Sequence, residues 1–373
     1  MQYKDFKGIK LSRLGMGNMR LPTVDGDGNS PIDYDKAKEI IDMCMRRGIN
    51  YYDTAYIYHN AKSEEFVGKA LSEYPRDSFY VADKFNMQAN PDFKAQFAEQ
   101  LERLNMDRID FYLIHGINDG TIDLAKNSGC IDYFDSLKKE GKIKYFGFSF
   151  HGSPDGLRRT LPLYNWDFVQ IQLNYYDWYT GDAKELYEIL KEAGIPAMIM
   201  EPVHGGLLAN LNDEAAKLLT DYAPDKSQAS WALRWAAELE NNCVILSGMT
   251  TIEQARDNIA TFSDPVPLTD EEHEIIKKAA VIQHSAIAVA CTACRYCCPD
   301  CPVGLDIPVL LKMYNDAKVG GAWRLSSLMG IPQDKWPTAC IGCGSCTGHC
   351  PQSIDVPKYM AEMVDMLKEM KII

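Results

Sequence analysis

Eight short apolar runs, rich in β-branched and aromatic residues, recur between Arg13 and Ser247, and longer segments of helical period separate them. The runs are Arg13–Gly17, Ile49–Asp53, Phe79–Lys84, Ile109–His115, Lys144–Ser149, Phe168–Leu173, Ala197–Glu201 and Cys243–Ser247. Helical patterns cover Asp35–Arg47, Ser63–Leu71, Ala95–Leu104, Ile131–Lys139, Ala183–Ala193, Asp213–Tyr222 and Ser227–Leu239. Strand alternating with helix forces a parallel sheet with right-handed crossovers. Eight such units within residues 1–284 predict an α/β fold, a closed (β/α)8 barrel of the TIM type. The competing open, doubly wound sheet is disfavoured, because no GxGxxG turn follows the first run. With 373 residues, 46% of them hydrophobic, the chain can build this core and a second, smaller domain.

In such a barrel the C-terminal ends of the strands share one mouth. Those ends are Gly17, Asp53, Lys84, His115, Ser149, Gln172, Glu201 and Ser247. Polar and ionisable groups thus end strand after strand, with apolar residues behind them. Tyr58 lies in the loop that follows Asp53, so Asp53, Tyr58, Lys84 and His115 can face one point. Taken singly, Asp53 reads as a helix cap, Tyr58 as a packed aromatic and His115 as a core histidine. Taken jointly, they suit protonation of a developing alkoxide. A free tyrosine, with a pKa of about 10, is a poor acid at neutral pH, and a nearby ammonium lowers that value. A carboxylate keeps the ammonium charged and aimed, and a histidine can orient a substrate carbonyl.

These residues sit in motifs that resemble the aldo-keto reductase family: KLSRLGMGNMRL (10–21), GINYYDTAYIYHNAKSEEFVGKAL (48–71), DFYLIH ending at His115, GFS (147–149), QLNYY (172–176), EPVHGGLL (201–208) and SGMTTIEQARDN (247–258). The resemblance spans nearly all of residues 1–284. It implies hydride transfer between a nicotinamide cofactor and a carbonyl or alcohol, with Tyr58 as general acid and Asp53, Lys84 and His115 completing a tetrad. It further implies that Gly17, Ser149, Gln172 and Asn174 border the nicotinamide, and that Ser247, Gly248 and Asn258 meet the pyrophosphate and adenine end. Two departures stand out. Where the family places an aromatic ring to stack on the nicotinamide, this chain has Met200-Glu201-Pro202. Where the family presents Lys or Arg to the 2′-phosphate of NADPH, Thr250 and Gln254 are uncharged, and Arg256 is out of step. NADP and NAD both stay open as the cofactor.

Nine of the twelve cysteines lie between Cys291 and Cys350. Cys291, Cys294, Cys297 and Cys301 form C-x2-C-x2-C-x3-C-P, and Cys340, Cys343, Cys346 and Cys350 repeat it. This spacing resembles bacterial ferredoxins with two 4Fe–4S clusters. In that arrangement three cysteines of a run wrap one cluster and the fourth reaches the neighbouring one. The expected ligand sets are Cys291, Cys294, Cys297 and Cys350 for one cluster, and Cys340, Cys343, Cys346 and Cys301 for the other. Paired zinc knuckles are the competing reading, but they favour two-cysteine pairs across a longer loop. The segment after each run repeats too: 301–317 parallels 350–366, each with Asp and then Pro opening a helical pattern. Cys298 has no ligand role in this scheme and is expected to pack beside a cluster. The domains are therefore a barrel over residues 1–284 and a ferredoxin-like dicluster domain over residues 285–373.

Charge divides at the same border. Eight basic and eight acidic residues follow His284, so the whole net charge of −13 belongs to the larger part. Nucleic acid and anionic membranes are thereby disfavoured as partners. No apolar run is long enough to span a bilayer, and the first residues lack a secretory h-region, so a cytoplasmic location is expected. Two oxygen-sensitive clusters point further to a low-oxygen cell. The chain thus reads as an oxidoreductase for a small carbonyl or alcohol, linked to or tuned by a one-electron relay and a ferredoxin-type partner. Two alternatives are a nicotinamide-independent, ferredoxin-linked reductase with a flavin bridge, and an electron-transfer subunit whose barrel is a scaffold.

Overall fold

The computed structural model describes residues 1–26, 30–264, 266–320 and 322–373. They divide into two compact units: Met1–Val203 with Ala229–His273, and His204–Gln228 with Glu274–Ile373. The border read from composition, between residues 284 and 285, falls within the helix Asp270–Ala286.

The first unit opens with an antiparallel hairpin, β1 (Tyr3–Phe6) and β2 (Ile9–Ser12). Eight parallel strands then close a barrel among the described residues. They are β3 (Leu14–Gly17), β4 (Tyr51–Asp53), β5 (Tyr80–Phe85), β6 (Ile109–Ile117), β7 (Ile143–Phe150), β8 (Phe168–Gln172), β9 (Ala197–Met200) and β10 (Asn242–Ser247). Neighbours pair in chain order, and β10 returns to β3. All eight expected runs are strands, with ends shifted by up to two residues. The barrel is thus the α/β fold that the alternation demanded.

The hairpin was not expected from the sequence, and it decides which end of the barrel is available. Phe6 is buried against Phe111, Tyr145 and Phe168, with ring centroids 5.4, 4.9 and 6.4 Å away. These rings belong to the inner layers near the strand starts, together with Tyr51, Ala82 and Met198. The N-terminal end is therefore filled by aromatic packing. Strand period then sets what faces inward farther along. Tyr51 and Asp53 share a face, as do Ala82 and Lys84, Phe111 and His115, and Tyr145 and Ser149. A polar layer thus tops an aromatic one.

Several helix starts carry side-chain caps. Asp33 accepts from Lys36 N, Asp92 from Lys94 N and Ala95 N, and Ser153 from Gly156 N. Thr251 and Gln254 form a reciprocal capping box at the helix Ile252–Ser263.

The second unit packs the helices Ile307–Gly320 and Val356–Glu369 around a core that includes Leu310, Leu311, Tyr314, Met360 and Met363. The two helices correspond to the repeated segments. Tyr314 and Tyr359 lie 5.3 Å apart, and Tyr314 donates its hydroxyl proton to Glu362. The segment His204–Gln228 joins this unit: Asn212 N donates to Gln283 Oε1 at 2.8 Å. Gly205, at φ +64°, is pressed against the backbone of Thr292, where a Cβ would lie 2.3 Å from the carbonyl oxygen. Only glycine tolerates both that approach and that conformation. Among the described residues no helix is long and apolar enough to cross a membrane.

Candidate functional site

The four residues expected to act together do converge. Lys84 is fully buried, and its Nζ donates to Asp53 Oδ1 and to the Thr54 carbonyl, each at 2.6 Å. The same nitrogen lies 4.8 Å from the centre of the Tyr58 ring. Tyr58 and His115 meet edge to face, with ring centroids 6.0 Å apart at 84°. Asp53, Tyr58 and His115 are all buried. Burial pushes the Asp53 carboxyl above its usual range, and the Lys84 ammonium pulls it back. Burial, then the charge of Lys84, holds His115 well below the ordinary imidazole value. His115 is therefore neutral at pH 7.

The loop that carries Tyr58 is held in an uncommon shape. His59, Asn60 and Ala61 all adopt left-handed backbone, at φ +50°, +52° and +64°. Each costs energy that surrounding contacts must offset. One such contact is Leu21 N, which donates to His59 Nε2 at 3.2 Å. Burial lowers the His59 pKa, which suits this acceptor role.

A second histidine at the mouth escaped the sequence reading. His151 follows β7, and its N–H donates to the Ile117 carbonyl at 2.8 Å. Strand alternation puts it on the inward face one layer beyond Ser149. Burial and the charge of Lys84 lower its pKa to about 4. Period-2 counting past the strand end could have found it.

The residues expected at the nicotinamide occupy the same mouth. Ser149 Oγ accepts from Gly116 N at 2.8 Å. Gln172 Nε2 and Asn174 Nδ2 both donate to Asp177 Oδ2, at 2.8 and 2.7 Å. Asn174 Nδ2 also reaches the Glu201 carbonyl at 3.0 Å. Asp177 was not singled out in the sequence; it lies just beyond the QLNYY motif, in the helix Tyr175–Thr180. Glu201 itself takes φ +55°, a left-handed conformation at the end of β9. At the other expected end, Asn258 Nδ2 donates to Ser247 Oγ at 3.0 Å, and both are buried. Gly17 lies beside Gly248, whose missing side chain leaves room for the stem of Arg20. Thr250 and Gln254 are taken up by the helix start, since Gln254 Oε1 accepts from Thr250 N at 2.7 Å.

In the second unit the cysteines wall two hollows. One is lined by Cys291, Cys294, Cys297 and Cys350. The other is lined by Cys301, Cys340, Cys343 and Cys346. Each takes three thiols from one run and the fourth from the other, as the spacing led us to expect. Aliphatic residues complete both walls, Ile354 in the first and Leu305 in the second, with Ile307 and Val356 shared. Four soft sulfur donors around one hollow fit the ligand set of a 4Fe–4S cubane. Cys298 lines neither hollow and is half-buried against the same core.

The neutral histidines give the barrel a pH signature. Their folded pKa values lie below the unfolded value of about 6.5, so unfolding takes up protons as pH falls. For His151, stability present above about pH 6.5 should be lost as pH drops through about 4. The unfolding midpoint, followed by tryptophan fluorescence, should fall over that window, and His151→Gln should flatten the fall.

Comparison with known proteins bears on both units. A profile described as "Aldo/keto reductase family" matches residues 13–281, and one described as "4Fe-4S dicluster domain" matches residues 290–354. A probable aldo-keto reductase 1 of Glycine max is 30% identical over 211 residues, 54% of this chain, and the match spans 58% of that protein. The NADH-specific methylglyoxal reductase of Escherichia coli is 26% identical over 329 residues, covering 73% of this chain and 95% of that one. A solved holo-form aldo-keto reductase from Bacillus halodurans superposes with a TM-score of 0.62 and 29% identity. That match covers 75% of this chain and 96% of the solved one.

Proposed function

The chain belongs to the aldo/keto reductase family and carries a 4Fe–4S dicluster domain, and from that premise we propose that this oxidoreductase reduces a small carbonyl compound, or oxidises the matching alcohol, by hydride transfer with a nicotinamide. When bound, the nicotinamide supplies or accepts the hydride. Tyr58 Oη gives the proton to the alkoxide oxygen, or takes it back in the reverse direction. The Lys84 ammonium stabilises the phenolate that remains, which makes Tyr58 a competent acid near neutral pH. Asp53, at 2.6 Å, keeps that ammonium charged and aimed. Neutral His115 orients the carbonyl oxygen without competing as an acid. Gly17, Ser149, Gln172 and Asn174 border the ring, and Ser247, Gly248 and Asn258 the far end. The observation that carries the reading is the buried contact set Asp53–Lys84–Tyr58–His115.

NADH suits this chain better than NADPH. Thr250 and Gln254 offer no cation, and Arg256 leans toward Glu253 at 3.7 Å. The Escherichia coli relative is named for the same preference. The two cysteine sets hold one cluster each, Cys291, Cys294, Cys297 and Cys350 in one, Cys340, Cys343, Cys346 and Cys301 in the other. They exchange single electrons with a ferredoxin-type partner. Met200-Glu201-Pro202, standing where the family has a stacking ring, favours a second reading, in which the clusters feed the barrel directly or through a flavin.

Anaerobic purification, mass spectrometry of released small molecules and titration with both nicotinamides decide the matter. NADH should bind and support turnover, and NADPH should bind at least about tenfold more weakly, the equivalent of one lost charge-assisted contact. Tight NADPH binding would overturn the preference, and binding of neither would leave the second reading.

A further inference from the structure

On the face of β5 turned away from the barrel axis lies a set of ionisable groups that the proposed chemistry does not use. Asp83, Glu64, Gln100 and Tyr112 are buried there. They come from four elements: β5, the helix Ser63–Leu71, the helix Phe93–Leu104 and β6. Glu64 takes two donors, Arg103 Nη1 on Oε2 at 2.8 Å and Gln100 Nε2 on Oε1 at 2.9 Å. Asp83 Oδ1 takes one, the backbone N–H of Lys84 at 2.8 Å. Asp83 Oδ2 is buried with no donor among the described residues, and it faces the Glu64 carboxyl.

Charge counting then leaves little choice. Two dry carboxyls in contact have two cations in reach: Arg103, which also reaches Glu99 at 3.2 Å and lies over the Tyr56 ring, and Lys84, whose ammonium is already held by Asp53. Both cannot ionise, and a hydrogen bond between two carboxyl oxygens exists only with a proton on one of them. Glu64 already has two donors, so the proton belongs to the other partner. Burial and the charge of Glu64 do push the Asp83 carboxyl well above the ordinary range.

The pair also grips Lys84. Asp83 holds its N–H, and Gln100 Nε2 donates to its carbonyl at 3.0 Å. Gln100 is fixed in turn by Glu64 and by the Tyr112 hydroxyl, which donates to Gln100 Oε1 at 2.6 Å. We propose that Asp83 and Glu64 hold a single proton between them at neutral pH, carried on Asp83, and that Asp83 and Gln100 are positioning residues that fix the backbone of Lys84. The positioning half rests on the reading of Lys84 as the partner of Tyr58. With the proton on Asp83 the pair carries one negative charge, which Arg103 meets, so Asp53 stays the carboxylate that holds the Lys84 ammonium.

Two measurements on the cluster-loaded protein test this. Infrared spectra at pH 7 should contain the carbonyl stretch of a protonated carboxylic acid, lost in both Asp83→Asn and Glu64→Gln, since either leaves one carboxyl against Arg103. A missing band, or one that survives both substitutions, overturns the shared proton. In kinetics, Asp83→Ala should lower kcat about tenfold with KM little changed, and Asp83→Asn, which keeps the acceptor for Lys84 N–H, should recover most of the loss. A wild-type kcat in Asp83→Ala overturns the positioning role. Should that variant not fold, Gln100→Met probes the grip from the carbonyl side with the same expected loss and the same overturning result. If the wild-type protein reduces no carbonyl at all, the functional reading fails, while the infrared result still decides the proton.

Discussion

Tyr58→Phe should lower kcat by about 10²- to 10⁴-fold, the range that a positioned general acid contributes. Only one oxygen is removed. The ring that meets His115 edge to face and lies 4.8 Å from Lys84 Nζ is kept. The fold, the iron content and the visible absorption of the clusters should therefore be unchanged, and so should the affinity for NADH. The loss should fall on kcat rather than on KM, because the proton is needed only as the alkoxide develops. Single-turnover reduction beside an iron assay separates these effects. Unchanged turnover with intact clusters would remove Tyr58 from the chemistry.

Lys84→Met should be more damaging, since it acts on stability as well as rate. It removes a fully buried cation and leaves Asp53 buried without its partner. Asp53 Oδ2 already has no hydrogen-bond partner among the described residues, so nothing nearby takes over. Breaking one side of a buried pair costs about 3–5 kcal/mol. The sign with pH follows from the carboxyl. Without Lys84 only burial acts on it, so its folded pKa rises further above the unfolded value. Stability is then retained at low pH and lost as pH rises through that folded value. Denaturant midpoints should thus fall further below wild type at pH 8 than at pH 5. Asp53→Asn added to Lys84→Met should recover stability but not activity. A double variant no more stable than the single one would show that the pair is not the source of the loss.

The barrel was legible because its signal is repeated eight times, and a shift of two residues at a strand end does not alter the count. The tetrad was legible because strand ends of a barrel share a mouth, whatever the distances in sequence. The hairpin of β1 and β2 was not, since Lys4, Asp5, Lys7 and Lys10 interrupt its few apolar residues, Tyr3, Phe6, Ile9 and Leu11. His151 was missed because it stands one residue beyond a strand, where alternation is seldom followed. Asp83 hid for the opposite reason. A charged residue beside Lys84 reads as a solvated neighbour in one dimension, and only the helices packed outside the barrel turn it into a buried acid. Its partner Glu64 is 19 residues away in the chain, with no spacing rule to join them. The grouping of the cysteines around two hollows was legible, because their spacing governs which thiols lie together.

The shared walls of the two hollows bear on how such a tail can be inherited. Although 301–317 and 350–366 look like copies of one unit, neither copy encloses a hollow of its own. A single unit would offer three thiols and an open side. The repeat is therefore a module only as a pair. A chain cut between the runs would not keep half of the relay but would lose both halves at once, so duplication and closure had to be useful together.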